Sequence, residues 1–190
     1  MGYRRAIVLG NGESRRGIDI PDDCDVWGTN WACKELTLDY LVSTDIGCQH
    51  LIYRTGYCID NTAYYLDWDP LGSDDISVGT FSSTGAIVDD TEYTEHGVVI
   101  GSEHDRVYFT YLNENDKVTN IKVNELPMPL ASGQLALYLA ANSGMYNEII
   151  YSGFGDEKHI HTSNVPNLEV WKKEKDFVIR YFSDIKWRKI

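Results

Sequence analysis

Residues 5–14 read Arg5-Ala6-Ile7-Val8-Leu9-Gly10-Asn11-Gly12-Glu13-Ser14. Four consecutive apolar residues run straight into a glycine-bracketed turn. A short continuous apolar run suits a strand buried on both faces, as in a parallel sheet. Gly10 and Gly12 allow a sharp turn and a close approach of backbone to a ligand or to another segment. Asn11 supplies both a donor and an acceptor, and Ser14 a hydroxyl. Followed by a helix, such a turn would present N–H groups to an anion such as phosphate. The stretch is not a dinucleotide fingerprint, because Arg15 stands at the third glycine position, nor a P-loop, because no Gly-Lys-Ser/Thr follows. A tight structural turn would use the same residues.

Two more strands follow on the C-terminal side, Asp25-Val26-Trp27-Gly28-Thr29-Asn30 and Tyr40-Leu41-Val42-Ser43-Thr44-Asp45, with a short helix expected around 31–37. The three runs end in Asn11, Asn30 and Asp45. Parallel α/β sheets bind ligands at their strands' carboxyl ends, so this alignment points to a site there.

Further on, Leu130-Ala131-Ser132-Gly133-Gln134 opens a helix expected over 133–143, with Ser132 as its cap and Gly144 as its stop. A Ser-Gly pair there suits phosphate or carboxylate through the hydroxyl, the N–H groups and the dipole, and equally suits a plain cap. A strand over 148–154 leads to Gly153-Phe154-Gly155-Asp156, then His159 and His161. Asp156 could hold a ribose hydroxyl or a metal ion, and a histidine could move a proton. The last helix is expected over 167–183, with Trp171, Val178, Phe182 and Ile185 on one face.

Residues 60–125 have a different character. They are rich in Thr, Ser, Asp, Gly and Tyr and show no helical period. Val98-Val99-Ile100 and Arg106-Val107-Tyr108-Phe109-Thr110-Tyr111 read as strands, and the turn at Asn113-Glu114-Asn115-Asp116 predicts a hairpin with 117–123. The reading is therefore a single α/β domain over 1–190, its mostly parallel sheet flanked by helices, with a β-rich acidic insertion or lid at 60–125.

The 190 residues carry 29 acidic and 17 basic side chains, a net charge of −12. That balance opposes extended nucleic-acid binding and anionic membranes, both of which need clustered Lys and Arg. Residues 60–125 hold 14 acidic and 3 basic side chains and so carry most of the net negative charge, while 171–190 is basic. Such asymmetry allows head-to-tail association into a homo-oligomer that salt would weaken. No apolar run reaches the roughly 18 residues a membrane helix needs. Met1-Gly2-Tyr3-Arg4-Arg5 precedes only four apolar residues, so no signal peptide is expected. Cys24, Cys33, Cys48 and Cys58 form no Cys-x-x-Cys pair and read as free thiols, consistent with a cytoplasmic protein.

Taken in order, these motifs resemble a superfamily that includes bacterial lipooligosaccharide sialyltransferases and relatives of archaeal 6-hydroxymethylpterin pyrophosphokinase. The resemblance rests on Gly10-Asn11-Gly12-Glu13-Ser14, Thr29-Asn30, Leu38-Asp39-Tyr40-Leu41-Val42-Ser43-Thr44-Asp45 and Ala131-Ser132-Gly133. It continues through Gly144-Met145-Tyr146-Asn147-Glu148-Ile149-Ile150-Tyr151 and Gly153-Phe154-Gly155-Asp156. It covers roughly 1–50 and 126–157. Glu13 stands where that pattern has proline, Ala131 where it has threonine, and Gly155 is an extra residue.

The resemblance implies a Rossmann-like fold with Gly10, Asn11, Gly12, Ser14, Asn30, Ser132 and Gly133 around a nucleotide or nucleotide-sugar. It implies a sialyltransferase-like, glycosyltransferase-like transfer from a CMP-activated donor; the family's catalytic histidine lies beyond the matching region, which leaves His161 and His159 as candidates for the base and Asp156 as a further catalytic candidate. In the pyrophosphokinase-like branch Asp45 would hold Mg²⁺. Short relatives of this kind are associated with bacteriophage genomes, which points instead to a non-catalytic nucleotide-binding or assembly protein. A carboxylate at Glu13 would repel phosphates unless it points away or pairs with Arg15 or Arg16.

Overall fold

A computed structural model describes residues 4–68, 91–94, 97–101, 106–110, 115–155, 158–160 and 167–190, with only the backbone of the strands between 91 and 110. The elements are β1 (Arg5–Leu9), β2 (Cys24–Thr29), β3 (Tyr40–Ser43), α1 (Ile46–Tyr53), α2 (Tyr57–Asp60) and β4 (Thr62–Leu66). Then come β5 (Thr91–Thr94), β6 (Gly97–Gly101), β7 (Arg106–Thr110), β8 (Val118–Ile121), α3 (Ser132–Asn142), β9 (Glu148–Ser152), α4 (Leu168–Tyr181) and β10 (Lys186–Lys189).

Seven strands form one all-parallel sheet in the order β10-β9-β1-β2-β3-β4-β8. With helices against it, this is an α/β, Rossmann-like arrangement. The chain steps outward from β1 to β8, then crosses back through α3 to place β9 on the other side of β1. The direction of winding therefore reverses between β1 and β9, and the crevice at their carboxyl ends is where such sheets take ligands.

The apolar run in β1 is continuous because both of its faces are covered. Ala6 and Val8 pack in a cluster with Leu135, Ala136 and Ala140 of α3 and Val178 of α4. Ile7 and Leu9 pack with Cys24 and Ile150, beneath Ile18, Ile20 and Leu36. A third cluster joins Leu41, Ala63 and Tyr65 to Ile52 and Tyr53 of α1. The four apolar residues of β1, Ala6 to Leu9, are at most 1% exposed, each of the larger ones contributing on the order of 1–3 kcal/mol by burial.

Several expectations are corrected. The segment expected as a helix over 31–37 is a short 3-10 turn, Asn30–Lys34. The hairpin between 106–111 and 117–123 does not form. Val118–Ile121 joins the main sheet parallel to β4, while Arg106–Thr110 pairs antiparallel with β6. The cause lies in the anchors around β8. The Lys117 N–H donates to the Cys58 carbonyl at 2.7 Å, the Tyr53 hydroxyl donates to Asp116 at 2.7 Å, and the Trp68 N–H donates to Asn120 Oδ1 at 2.9 Å. Both ends of 60–125 thus supply main-sheet strands, β4 and β8, and the three-stranded antiparallel sheet β5-β6-β7 lies between them in sequence. Among the described residues all four cysteines are free.

The basic tail also has a place in the fold. Lys186–Lys189 is an edge strand on β9, and Lys186 Nζ and Arg188 Nε lie 3.0 and 3.6 Å from Oε1 of the buried Glu148. Trp187 packs partly against the core and donates its indole N–H to the Phe182 carbonyl at 3.0 Å. Among the described residues no helix is long and apolar enough to cross a membrane.

Candidate functional site at the strand ends

A cleft of about 430 Å³ opens at the carboxyl ends of β1, β2, β3 and β9, within the size range of small-ligand sites. Gly10, Asn11, Asn30, Asp45, Ser132, Gly133 and His159 all line it. Of the other expected nucleotide-binding residues, Gly12 and Ser14 lie outside the lining. Gly12 donates its N–H to the Gly153 carbonyl at 3.0 Å, and Ser14 Oγ accepts the Gly153 N–H at 3.1 Å. These two fasten the turn after β1 to the end of β9 and do not face the cleft. Asp156 and His161 lie outside the described residues.

The floor is made by two backbones in contact. A Cβ on Gly10 would stand 2.4 Å from the Gly153 carbonyl oxygen, and Gly153 has φ +78°. That left-handed conformation and that approach admit only glycine at low cost. Close strand packing thus accounts for these glycines, whereas Gly133 is required by the ring of Phe154, whose Cε1 lies 2.8 Å from a Cβ placed there.

Asn30 leaves β2 with φ +48°, a left-handed turn that asparagine tolerates better than most residues. Its Oδ1 accepts hydrogen bonds from Ser43 Oγ at 2.9 Å and from Ser132 Oγ at 3.1 Å. Ser132 Oγ also accepts the Thr44 N–H at 3.0 Å and lies 2.9 Å from Thr44 Oγ1. The Ser132 hydroxyl therefore ties α3 to β2 and β3. It does not cap the helix, whose N-cap is Ala131. What α3 offers the cleft is the set of N–H groups on Ser132, Gly133 and Gln134, which have no intrahelical acceptor.

His159 is brought over the glycine turn by an antiparallel bridge to Gly12, supported by Ile160 N–H to the Asn11 carbonyl at 2.8 Å and Glu13 N–H to the Lys158 carbonyl at 3.1 Å. Its ring stacks on Trp171, centroids 5.2 Å apart and planes 11° apart. Trp171 is held in turn where its carbonyl accepts from Gln134 Nε2 at 3.0 Å. Trp31 lines the cleft from the β2 side, with Lys34 Nζ 3.8 Å from the centre of its ring. The two indoles, Thr44, Gln134 and Phe154 were not singled out as site residues from sequence. The nearest signals were Trp31 following Asn30, Thr44 preceding Asp45, and Phe154 inside the glycine motif.

The electrostatics are spare. Among the described lining residues there is no Lys or Arg. Asp45 is the N-cap of α1, its Oδ1 accepting the Cys48 N–H at 2.7 Å. Burial, with Asp45 beside it, pushes the Cys48 thiol up to about 12, so it stays protonated. Glu13 pairs with Arg16 at 3.8 Å on the surface, away from the cleft. Asn11 Oδ1 is buried with no hydrogen-bond partner among the described residues. A buried acceptor of that kind costs about 1–3 kcal/mol unless something donates to it. Among the described residues no group of three or more His, Cys, Asp or Glu is placed to hold a metal ion.

Fold and cleft together define an α/β, Rossmann-like protein with a small-ligand crevice at its topological switch point. Comparison of the chain with family models, curated proteins and solved structures gives no significant match.

Proposed function

We propose that the cleft binds a nucleotide, the CMP portion of an activated sugar, and that the protein transfers that sugar to an acceptor hydroxyl. The observation that carries this reading is Asn11, which lines the cleft at the β1/β9 switch point together with the first turn of α3 and has a buried Oδ1 with no hydrogen-bond partner among the described residues. The amino group of a base or a ribose hydroxyl would donate to Asn11. The phosphate would take the N–H groups of Ser132, Gly133 and Gln134 at the positive end of α3. Asn30 has its Oδ1 occupied by two hydroxyls, which leaves its Nδ2 as a donor to the ligand. Trp31 and Trp171 offer planar faces to a base or a sugar ring.

In the transfer, His159 would take the proton of the acceptor hydroxyl as its oxygen bonds to the anomeric carbon. The bond from that carbon to the phosphate oxygen breaks, and the charge that develops on the departing CMP is met by the α3 N–H groups. Release of CMP from a CMP-sugar, measured with and without acceptor, tests this directly.

A second reading is a nucleotide-binding protein without turnover. It is favoured by the small stock of proton-transfer groups: with Asp45 engaged as a cap and Cys48 protonated, His159 is the one imidazole among the described lining residues. Saturable CMP binding with no CMP release from any CMP-sugar would select it. The pyrophosphokinase-like reading would put Mg²⁺ on Asp45, whose Oδ1 already accepts the Cys48 N–H as the cap of α1.

A further inference from the structure

Glu174 is a carboxylate in an apolar position. On α4 it is one of two buried residues, the other being Val178 one turn later. It is 7% exposed, and among the described residues it has no ion-pair partner. Its Oε2 accepts the N–H of Ala131 at 3.0 Å. Ala131 is the N-cap of α3 and part of the cleft wall, whereas Glu174 does not line the cleft.

A buried charge without a counter-ion needs compensation. Here the compensation is the positive end of the α3 dipole together with the Ala131 N–H. Burial still raises the carboxyl above its usual range, with the Ala131 N–H acting against the rise. A glutamine would accept the same hydrogen bond without burying a charge, so fastening the helix does not require a carboxylate. The charge does have a consequence for the cleft. It accepts the N–H of the cap residue of the helix whose first turn lines the cleft, so a bound anion and the carboxylate would share one helix end. No Lys or Arg among the described lining residues offsets this.

We propose that Glu174 is a specificity-determining residue. Its carboxylate, held on the cap N–H of α3, penalises each added negative charge on the ligand, so the cleft discriminates among nucleotides by phosphate number and favours a single phosphate. This inference rests on the nucleotide reading above.

The test titrates the full chain with cytidine, CMP, CDP and CTP in the absence of divalent cations, in wild type and in Glu174→Gln. In wild type, affinity is expected to fall from CMP to CDP to CTP. In Glu174→Gln, cytidine affinity is expected to stay within about twofold, while CMP affinity rises about fivefold to tenfold and CDP and CTP rise further, as the loss of one like charge at the same helix end would give. The melting temperature of the variant checks that its fold is kept. The wild-type series needs no variant: tighter binding of CTP than of CMP overturns the proposal. So does a Glu174→Gln shift that is equal for cytidine and CMP. If neither cytidine nor CMP binds the wild-type protein, the nucleotide reading fails and this inference fails with it.

Discussion

Ser132 Oγ donates to Asn30 Oδ1 at 3.1 Å, joining residues 102 positions apart. That bond sits at the centre of the site. It ties the start of α3 to the end of β2, and through Ser43 and Thr44 to the end of β3. The two residues thus shape the cleft as well as line it.

Ser132→Ala is therefore expected to act on stability first. The side chain is 7% exposed, and its removal leaves Asn30 and the Thr44 N–H each short of a partner. A loss of about 1–3 kcal/mol is expected by chemical denaturation, with CMP binding weakened because the α3 N–H groups lose their registration. A variant as stable as wild type would show the tie to be unimportant.

Gly153→Ala tests the glycine floor. Its φ of +78° and the 2.8 Å approach of a new Cβ to the Gly10 carbonyl oxygen should together cost about 2–4 kcal/mol. Gly17 has a similar φ of +72° but open space around it, so Gly17→Ala should cost only about 1 kcal/mol. Equal unfolding free energies for the two variants would refute the close-approach argument.

Much of this floor and of the sheet above it was legible in the sequence. The doubly buried β1 and β9 left continuous apolar runs, and the glycine turn marked the place where they meet. The elements that were missed are those whose burial is one-sided or whose partners are distant. Thr62–Leu66 alternates half-buried and buried residues beneath a polar composition, and β8, though expected as a strand, does not pair with the partner expected, because its partly exposed and exposed side chains on the sheet edge leave no pattern that names β4. Lys186–Lys189 is a strand only because β9 pairs with it and Glu148 receives its charges. No local pattern in Lys-Trp-Arg-Lys reports that. At the site, Asn11, Asn30, Ser132 and Gly133 were found because strand ends and helix starts are local features. Trp171 lines it from a helix far along the chain, Glu174 on the same helix holds the Ala131 N–H of its wall, and their local sequence speaks only of helical periodicity.

His50 provides a pH test of packing. It is 6% exposed, and its ring lies against Trp68. Burial, aided by Arg54, lowers its pKa from 6.5 to about 4. Between those values the unfolded chain binds a proton that the folded chain does not, so stability falls as pH drops from 6.5 towards 4. The full effect is about 3 kcal/mol. His50→Asn should flatten this part of the stability profile relative to wild type. Parallel profiles for the two proteins would show that His50 is not held neutral.

His159→Ala separates chemistry from binding. If sugar transfer occurs, CMP release should fall by about 10²-fold or more, while CMP affinity changes by less than about threefold. Undiminished release would remove His159 as the base.

Calorimetric titration of CMP into the wild-type protein and into Asn11→Ala tests the central claim most directly. The expected result is one saturable site per chain, weakened about tenfold in Asn11→Ala by loss of the Oδ1 acceptor, with the melting temperature of the ligand-free variant no lower than that of wild type, since the unsatisfied acceptor is gone. Absence of CMP binding to the wild-type chain, or equal affinity in Asn11→Ala, would contradict the assignment of the β1/β9 cleft as a nucleotide site.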